Sequence, residues 1–223
     1  MIKIKTFHFN PLETCCAVVH DDAEKACAII DPGCCSPGET DALLGFLEAE
    51  GLVPEKILLT HGHFDHSFGA AAIAARLGIK VLMHPADRKV LEKGELFSGV
   101  FGMDGYNGRF PTEDIADGDL VKIGNNLEFK VIHVPGHTPG SVCFLHMESK
   151  TMFGGDTLFA GSIGRTDLPG GDYDALMESI MGKLLTLDPA IMVIPGHGPD
   201  TTIGREALYN PFLEPFNEPE ETE

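Results

Sequence analysis

Thr60-His61-Gly62-His63-Phe64-Asp65-His66 brings three imidazoles and a carboxylate into one short turn. It follows the apolar run Ile57-Leu58-Leu59 and precedes an Ala-rich stretch with helical spacing, so it reads as a link between a buried strand and a helix. Imidazole nitrogen and carboxylate oxygen are donors that suit Zn²⁺, Fe²⁺ and Mn²⁺. Imidazoles this close cannot all take up a proton, because each charged ring disfavours the next. A shared cation resolves that conflict. The plain alternative is a polar turn with fortuitous histidines, and the rest of the chain decides between them by supplying further ligands or failing to.

Three more polar residues stand where strand-like runs end. His137 lies in Val134-Pro135-Gly136-His137-Thr138-Pro139-Gly140, Asp156 in Phe153-Gly154-Gly155-Asp156, and His197 in Ile194-Pro195-Gly196-His197-Gly198. Glycine precedes each one, which lets the backbone turn tightly and carry the side chain toward a common centre. Any one of them alone is an ordinary turn residue. Together with the first cluster they make four strand ends that present His or Asp.

Around these points the pattern alternates. Strands are predicted at 2–9, 15–20 and 26–30, a helix at 39–50, a strand at 56–59, a helix at 67–77, a strand at 81–83 and a helical stretch at 86–97. Residues 98–118 read as an exposed Gly-rich loop in which Phe101, Met103, Tyr106 and Phe110 could form an apolar lid, with an interface or a packed loop as the equal alternative. Strands then follow at 121–123, 127–134, 141–146 and 151–153, with a Gly-rich loop at 159–172, a helix at 173–187, a strand at 191–194 and a last helix from about 204. Strands leading and then alternating with helices, twice over, predict an α/β chain built as two mixed sheets face to face with helices outside. Because ligands occur in both halves, we expect one four-layer αββα domain over 1–217, followed by an acidic tail at 218–223 that frays.

Bulk properties narrow the function. The 223 residues carry a formal charge of −18, which disfavours a nucleic-acid backbone as partner. No apolar run approaches the ~20 residues that span a bilayer, and the alternating Met1-Ile2-Lys3-Ile4-Lys5-Thr6 has no signal-peptide core. A cytoplasmic protein with a small-molecule substrate is the expectation; oligomeric state stays open. Of the six cysteines, Cys15, Cys16, Cys27 and Cys143 sit in strand-like runs as small hydrophobes, and Cys34-Cys35 has no partner pair at zinc-finger spacing.

The seven positions His61, His63, Asp65, His66, His137, Asp156 and His197 resemble the signature of the metallo-β-lactamase superfamily, His-x-His-x-Asp-His followed by His, Asp and His. The likeness runs over nearly the whole chain. It implies the αββα sandwich and two metal ions, zinc first with iron or manganese as alternatives. One ion would sit on His61, His63 and His137, the other on Asp65, His66 and His197, with Asp156 between them. By the same resemblance Asp31, at the end of the third strand, would orient a ligand imidazole. An Asp at the bridging position is similar to dinuclear hydrolases and unlike true β-lactamases.

Gly155-Asp156-Thr157-Leu158-Phe159 with Gly161-Ser162-Ile163-Gly164-Arg165-Thr166-Asp167 looks most like glyoxalase II-type enzymes, whose substrates are hydroxyacyl-glutathione thioesters. The implied reaction is thioester hydrolysis by a hydroxide shared between the metals, with Asp65 and Asp156 positioning it. Arg165 stands where that family places a glutathione-binding lysine and could hold a substrate carboxylate; an ion pair with Asp167 or Asp172 is the alternative. Two departures weaken the glutathione half of the likeness. Pro199 replaces a tyrosine, and the chain ends soon after His197, where those enzymes continue into a basic helical region. The same segment resembles iron persulfide dioxygenases, which use a single metal, and lactone hydrolysis needs the same hydroxide.

Overall fold

A computed structural model describes residues 1–213. The acidic tail expected at 218–223 lies outside them. Among the described residues the chain forms two six-stranded sheets and a separate two-stranded one, β11 (Leu158–Phe159) with β12 (Ser162–Ile163). The first has the order β1-β2-β3-β4-β5-β6 and the second β14-β13-β10-β9-β8-β7. β1 (Ile2–Phe9), β2 (Thr14–Asp21) and β3 (Ala26–Ile30) pair antiparallel, and β4 (Val53–Leu58) and β5 (Lys80–Met83) then add in parallel. α1 (Pro37–Glu50) makes the first crossover. Ser36 caps it by accepting from Glu39 N–H, while the Glu39 carboxylate accepts from Ser36 N–H.

The second sheet is a meander of β7 (Leu120–Ile123), β8 (Leu127–His133), β9 (Val142–His146) and β10 (Thr151–Gly155), extended in parallel by β13 (Met192–Pro195) and edged by β14 (Thr201–Thr202). Helices α6 (Tyr173–Ser179) and α7 (Ile203–Tyr209) cover its outer side.

The period of two in β2 shows why four layers form. Cys15, Ala17 and Val19 point into the space between the sheets, against Phe129, Phe144 and Phe153. Cys16 and Val18 point outward, to Leu43, Leu47 and Ile73 of the covering helices. With both faces covered, the strand carries apolar side chains throughout. The middle cluster draws Ile30 and Leu58 from the first half and Val121, Val142 and Ile194 from the second, so neither half buries its inner face alone. The cysteines are free and used as filler. Burial pushes the thiols of Cys15, Cys27 and Cys143 up to about 12.

The structure corrects four expectations. The helix expected at 67–77 starts earlier and breaks in two: α2 (Phe64–Ser67) takes Asp65 and His66 into its first turn, and α3 (Ala70–Leu77) follows. The break comes where Gly69 N–H turns aside to donate to Pro32 O at 2.9 Å. The stretch at 86–97 is a 3₁₀ turn, α4 (Arg88–Lys93) and α5 (Glu95–Ser98) rather than one helix. The helix at 173–187 is α only through Ser179 and widens into a π turn over Ile180–Leu184.

The largest correction falls on 98–118. Met103 and Tyr106 are core residues, 1% and 4% exposed, and the Tyr106 hydroxyl pairs with Ser67 Oγ at 2.8 Å. Glu113–Asp114 adds β6 to the first sheet. Of the four side chains expected to make a lid, only Phe101 lines the cavity over the strand ends. No helix of the described residues is long and apolar enough to cross a membrane.

Candidate metal centre

Strand ends converge at one edge of the sandwich. β3 delivers Asp31 and β4 delivers residues 61–66, while β8, β10 and β13 of the other sheet deliver His137, Asp156 and His197. Two backbone hydrogen bonds tie the sheets together here. Val142 N–H donates to Thr60 O at 2.8 Å, and Cys15 N–H donates to Gly196 O at 2.7 Å. The glycines before the polar residues serve different needs. Gly136 has φ 141, a conformation closed to other residues. Gly196 is needed for space, since a Cβ there would lie 2.2 Å from Asp156 Oδ1 and 2.6 Å from His66 Cε1.

All seven predicted donors meet. His63 Nδ1 lies 3.1 Å from His61 Nε2 and 2.9 Å from His137 Nε2. On the other side His197 Nε2 lies 3.3 Å from His66 Nε2 and 3.3 Å from Asp65 Oδ2. Asp156 sits between the groups. Its Oδ1 is 3.3 Å from His66 Nε2, and its Oδ2 is 3.6 Å from both His137 Nε2 and His197 Nε2. Three donor groups have ligand atoms within 4.8 Å of one another: His61, His63 and His137; His61, His66 and Asp156; Asp65, His66 and His197.

Hydrogen bonds behind the rings set which nitrogen faces inward. His137 Nδ1 donates to Arg165 O at 2.7 Å and His197 Nδ1 donates to Leu12 O at 2.9 Å. A carbonyl only accepts, so both Nδ1 atoms carry protons and the Nε2 lone pairs face the centre when the rings are neutral. Thr60 Oγ1 donates to Asp31 Oδ2 at 2.6 Å and is left to accept from His61 Nδ1 at 3.1 Å. His66 Nδ1 lies 2.9 Å from Asp31 Oδ2. Asp31 thus acts on two rings, one directly and one through Thr60. It holds this place in a left-handed conformation, φ 47, that few non-glycine residues adopt.

The inward-facing atoms lack the partners that a dry site requires. Asp156 Oδ1 is buried with no aligned hydrogen-bond donor, and His66 Nε2 and His197 Nε2 face each other at 3.3 Å, a contact in which neutral rings oppose two lone pairs and charged rings oppose two protons. A cation satisfies all of these atoms, a proton only some of them. The charge balance has the same shape. Burial holds His61 well below its usual basicity, and burial with the neighbouring His137 brings His63 to about 4. Burial also acts against charge on His66, but Asp156, Asp65 and Asp31 outweigh it and raise this ring well above the usual value. Asp156 is held well below the carboxylate range despite its burial, chiefly by His66.

A cavity of about 760 Å³ opens over the cluster. Arg165 lines it, but its guanidinium makes a two-pronged ion pair with Asp167, with Nε and Nη2 each 2.7 Å from a carboxylate oxygen. Its backbone carbonyl, which orients His137, is the part of Arg165 tied to the cluster. Several residues escaped the sequence reading. Asp87 is buried and accepts from Gly62 N–H at 2.7 Å, Thr138 Oγ1 at 2.7 Å and Gly140 N–H at 2.6 Å, stapling the His61–His63 turn to the His137 loop. Thr14 Oγ1 donates to Asp65 Oδ2 at 2.9 Å. Lys89 and Lys93 reach the cavity from α4. Nothing local marks Asp87, because its partners are 25 to 53 residues away.

A family model for the metallo-beta-lactamase superfamily matches residues 11–197. The chain belongs to the metallo-beta-lactamase superfamily. Hydroxyacylglutathione hydrolase GloC of Haemophilus influenzae is 40% identical over 200 residues, which cover 89% of this chain and 92% of that one. Among solved structures, BLEG-1 B3 metallo-beta-lactamase superposes with TM-score 0.84 at 38% identity, over 95% of this chain and 99% of its own. TTHA1623 in a di-iron-bound form gives TM-score 0.83 at 38% identity, over 94% and 100%. The protein is a superfamily hydrolase with glyoxalase II-like relatives, and its histidine and aspartate cluster fits divalent metal ions.

Proposed function

We propose that this superfamily member is a binuclear thioester hydrolase acting on glutathione-type thioesters. His61, His63 and His137 would hold one divalent ion, Asp65, His66 and His197 the other, and Asp156 would touch both. The observation that carries this reading is the convergence of the second set, with each of its three donors oriented from behind: Asp65 by Thr14, His66 by Asp31 and His197 by Leu12 O. When bound, a pair of such ions activates a shared water near neutral pH and polarises a carbonyl.

The chain's own residues then set the course of the reaction. Asp65 and Asp156 both reach the ring nitrogens of His66 and His197, within 3.6 Å, and orient the water's protons. Water oxygen bonds to the thioester carbon, the C–S bond breaks, and the sulfur leaves with the electron pair as thiolate. The product is the carboxylate, with the remaining protons released to solvent. A thiolate is weakly basic, so the site needs no dedicated acid. The reading includes one αββα domain over 1–217 at work in the cytoplasm, where buried thiols stay reduced.

The test is turnover of S-lactoylglutathione by protein whose metal content has been measured. Two ions per chain and thioester hydrolysis support the reading; no hydrolysis at full loading sinks it. Zinc is the expectation from the donor set, while the di-iron-bound relative brings iron forward, and elemental analysis decides. A single-iron persulfide dioxygenase would leave Asp65 and His197 without a role, and oxygen uptake with glutathione persulfide detects it. Lactone opening uses the same water and is assayed beside it. β-Lactam hydrolysis is the remaining reading, favoured by the likeness to BLEG-1. Asp156 at the bridging position opposes it, and nitrocefin turnover measures it.

A further inference from the structure

The cavity above the metal centre is larger and more apolar than a lactoyl group requires. Its volume of about 760 Å³ lies in the upper part of the ~300–1,000 Å³ range of ligand clefts. Residues 89, 93, 97 and 101 recur every fourth position along the segment that forms one wall, and all four line the cavity. They read Lys, Lys, Phe, Phe. Phe159 and Leu168 add to the lining.

Phe97 and Phe101 are 39% and 45% exposed, so aromatic surface in the cleft faces water. Leu96 and Val100 in the same segment are 73% and 81% exposed but do not line the cavity. Phe97 and Phe101 are the aromatic surface that a ligand in the cleft would cover.

The charge of the cleft runs against that of the chain. The protein has 34 acidic and 16 basic residues, yet the only carboxylates lining the cavity are Asp65 and Asp156 of the metal centre. Three cations reach it. Arg165 is taken by Asp167. Lys89 and Lys93, one helical turn apart on α4, make no ion pair among the described residues. Two unpaired ammonium groups next to an open aromatic wall suit a ligand that is anionic at one end and apolar at the other.

We propose that the cleft takes amphiphilic acyl thioesters: a medium-chain apolar acyl group covered by Phe97 and Phe101, with an anionic group of the thiol half against Lys89 and Lys93. For the bond that is cut, this rests on the thioester-hydrolase reading above. The reaction then joins water to the acyl carbon and yields a medium-chain carboxylate and an anionic thiol. The anion could be a carboxylate, as in glutathione, or a phosphate, as in coenzyme A; the contact with lysine is the same.

Binding tests this without relying on turnover. Metal-loaded protein is titrated calorimetrically with S-methylglutathione and S-decylglutathione, thioethers that contain no bond to hydrolyse. The decyl compound is expected to bind at least about thirtyfold tighter, since each buried methylene contributes up to about fourfold. Phe101→Ala should weaken the decyl ligand and leave the methyl ligand unchanged. Lys89→Ser with Lys93→Ser should weaken both by about fivefold and flatten the dependence on salt. S-decyl-coenzyme A in parallel shows which anion is preferred, tighter binding naming the source.

Equal affinity for methyl and decyl ligands overturns the proposal, as does a double lysine variant unchanged in affinity and salt dependence. Turnover of S-lactoyl- and S-decanoylglutathione separates the two levels. Tight decyl binding without hydrolysis of any thioester supports the ligand class and sinks the hydrolase reading. Hydrolysis of the lactoyl thioester with no gain from chain length sinks the ligand class and leaves the hydrolase.

Discussion

The two donor sets at the sheet edge differ in a way that their shared geometry hides. His61, His63 and His137 form an all-imidazole group in which burial and mutual repulsion keep His61 and His63 less basic than usual. Asp65, His66 and His197 mix a carboxylate with imidazoles, and burial's opposition is overcome there by carboxylates that leave both rings more basic than usual. His61 and His63 are thus biased toward neutral rings that offer lone pairs, whereas the carboxylates around His66 and His197 favour positive charge there. Asp156 belongs to both, and its low proton affinity keeps it anionic between them. The contrast places two donor groups of unlike charge a few ångströms apart at one sheet edge, because Asp65 belongs to the second group alone while Asp156 touches both.

Substitutions can break this comparison or sharpen it. Asp156→Ala strikes both sets, and we expect kcat/KM for thioester hydrolysis to fall at least about a thousandfold with metal content below two per chain. Circular dichroism should stay unchanged. Full activity in a metal-free Asp156→Ala protein would refute the shared role. Next come His63→Ala and His197→Ala, one from each set. Each should lose about a hundredfold in activity and keep about one ion per chain, measured by mass spectrometry of the metal; loss of both ions from either variant would mean that the sets fill only together.

Asp31→Asn sharpens the contrast from behind the rings. It replaces the carboxylate behind His66 Nδ1 with an amide, so the metal on the second set should weaken about tenfold to a hundredfold in a chelator competition, while the first set loses less through Thr60. Asp87→Ala acts on the first set alone, since it frees the turns that carry His61, His63 and His137. It leaves the Gly62 and Gly140 N–H groups without their acceptor, and denaturant unfolding should show a loss of about 2–3 kcal/mol. Arg165→Ala is the smallest effect. The pair it breaks is exposed, so stability should move by less than about 1 kcal/mol, and His137 keeps its carbonyl partner because that atom is backbone.

Much of this was legible in the chain. The strands were readable because the period of two survives wherever one face meets the middle layer, as in β8 with Leu127, Phe129 and Val131 buried and Glu128 and Lys130 exposed. The seven donors were readable because each follows an apolar run and a short turn. What failed to read locally was whatever depends on distant partners. Tyr106 looks like a loop residue until Ser67 and Leu91 O are found beside its hydroxyl. Arg165 reads locally either as a cation for a substrate or as a partner of Asp167 or Asp172, and the fold gives its guanidinium to Asp167.

The residue types and their spacing determined the family, the layering and the donor set, because these rest on short-range patterns: alternation, glycine before a turn, and histidines close in sequence. Tertiary structure decided the rest. It turned imidazoles toward the centre through Leu12 O, Arg165 O and Asp31, held two loops together through Asp87, and lined up Lys89, Lys93, Phe97 and Phe101 along one wall of the cleft. Those outcomes depend on which distant groups the packed sheets bring within ~3 Å of each other. A hydrogen bond or an apolar wall is a property of such a meeting, and no single stretch of sequence contains both of its halves.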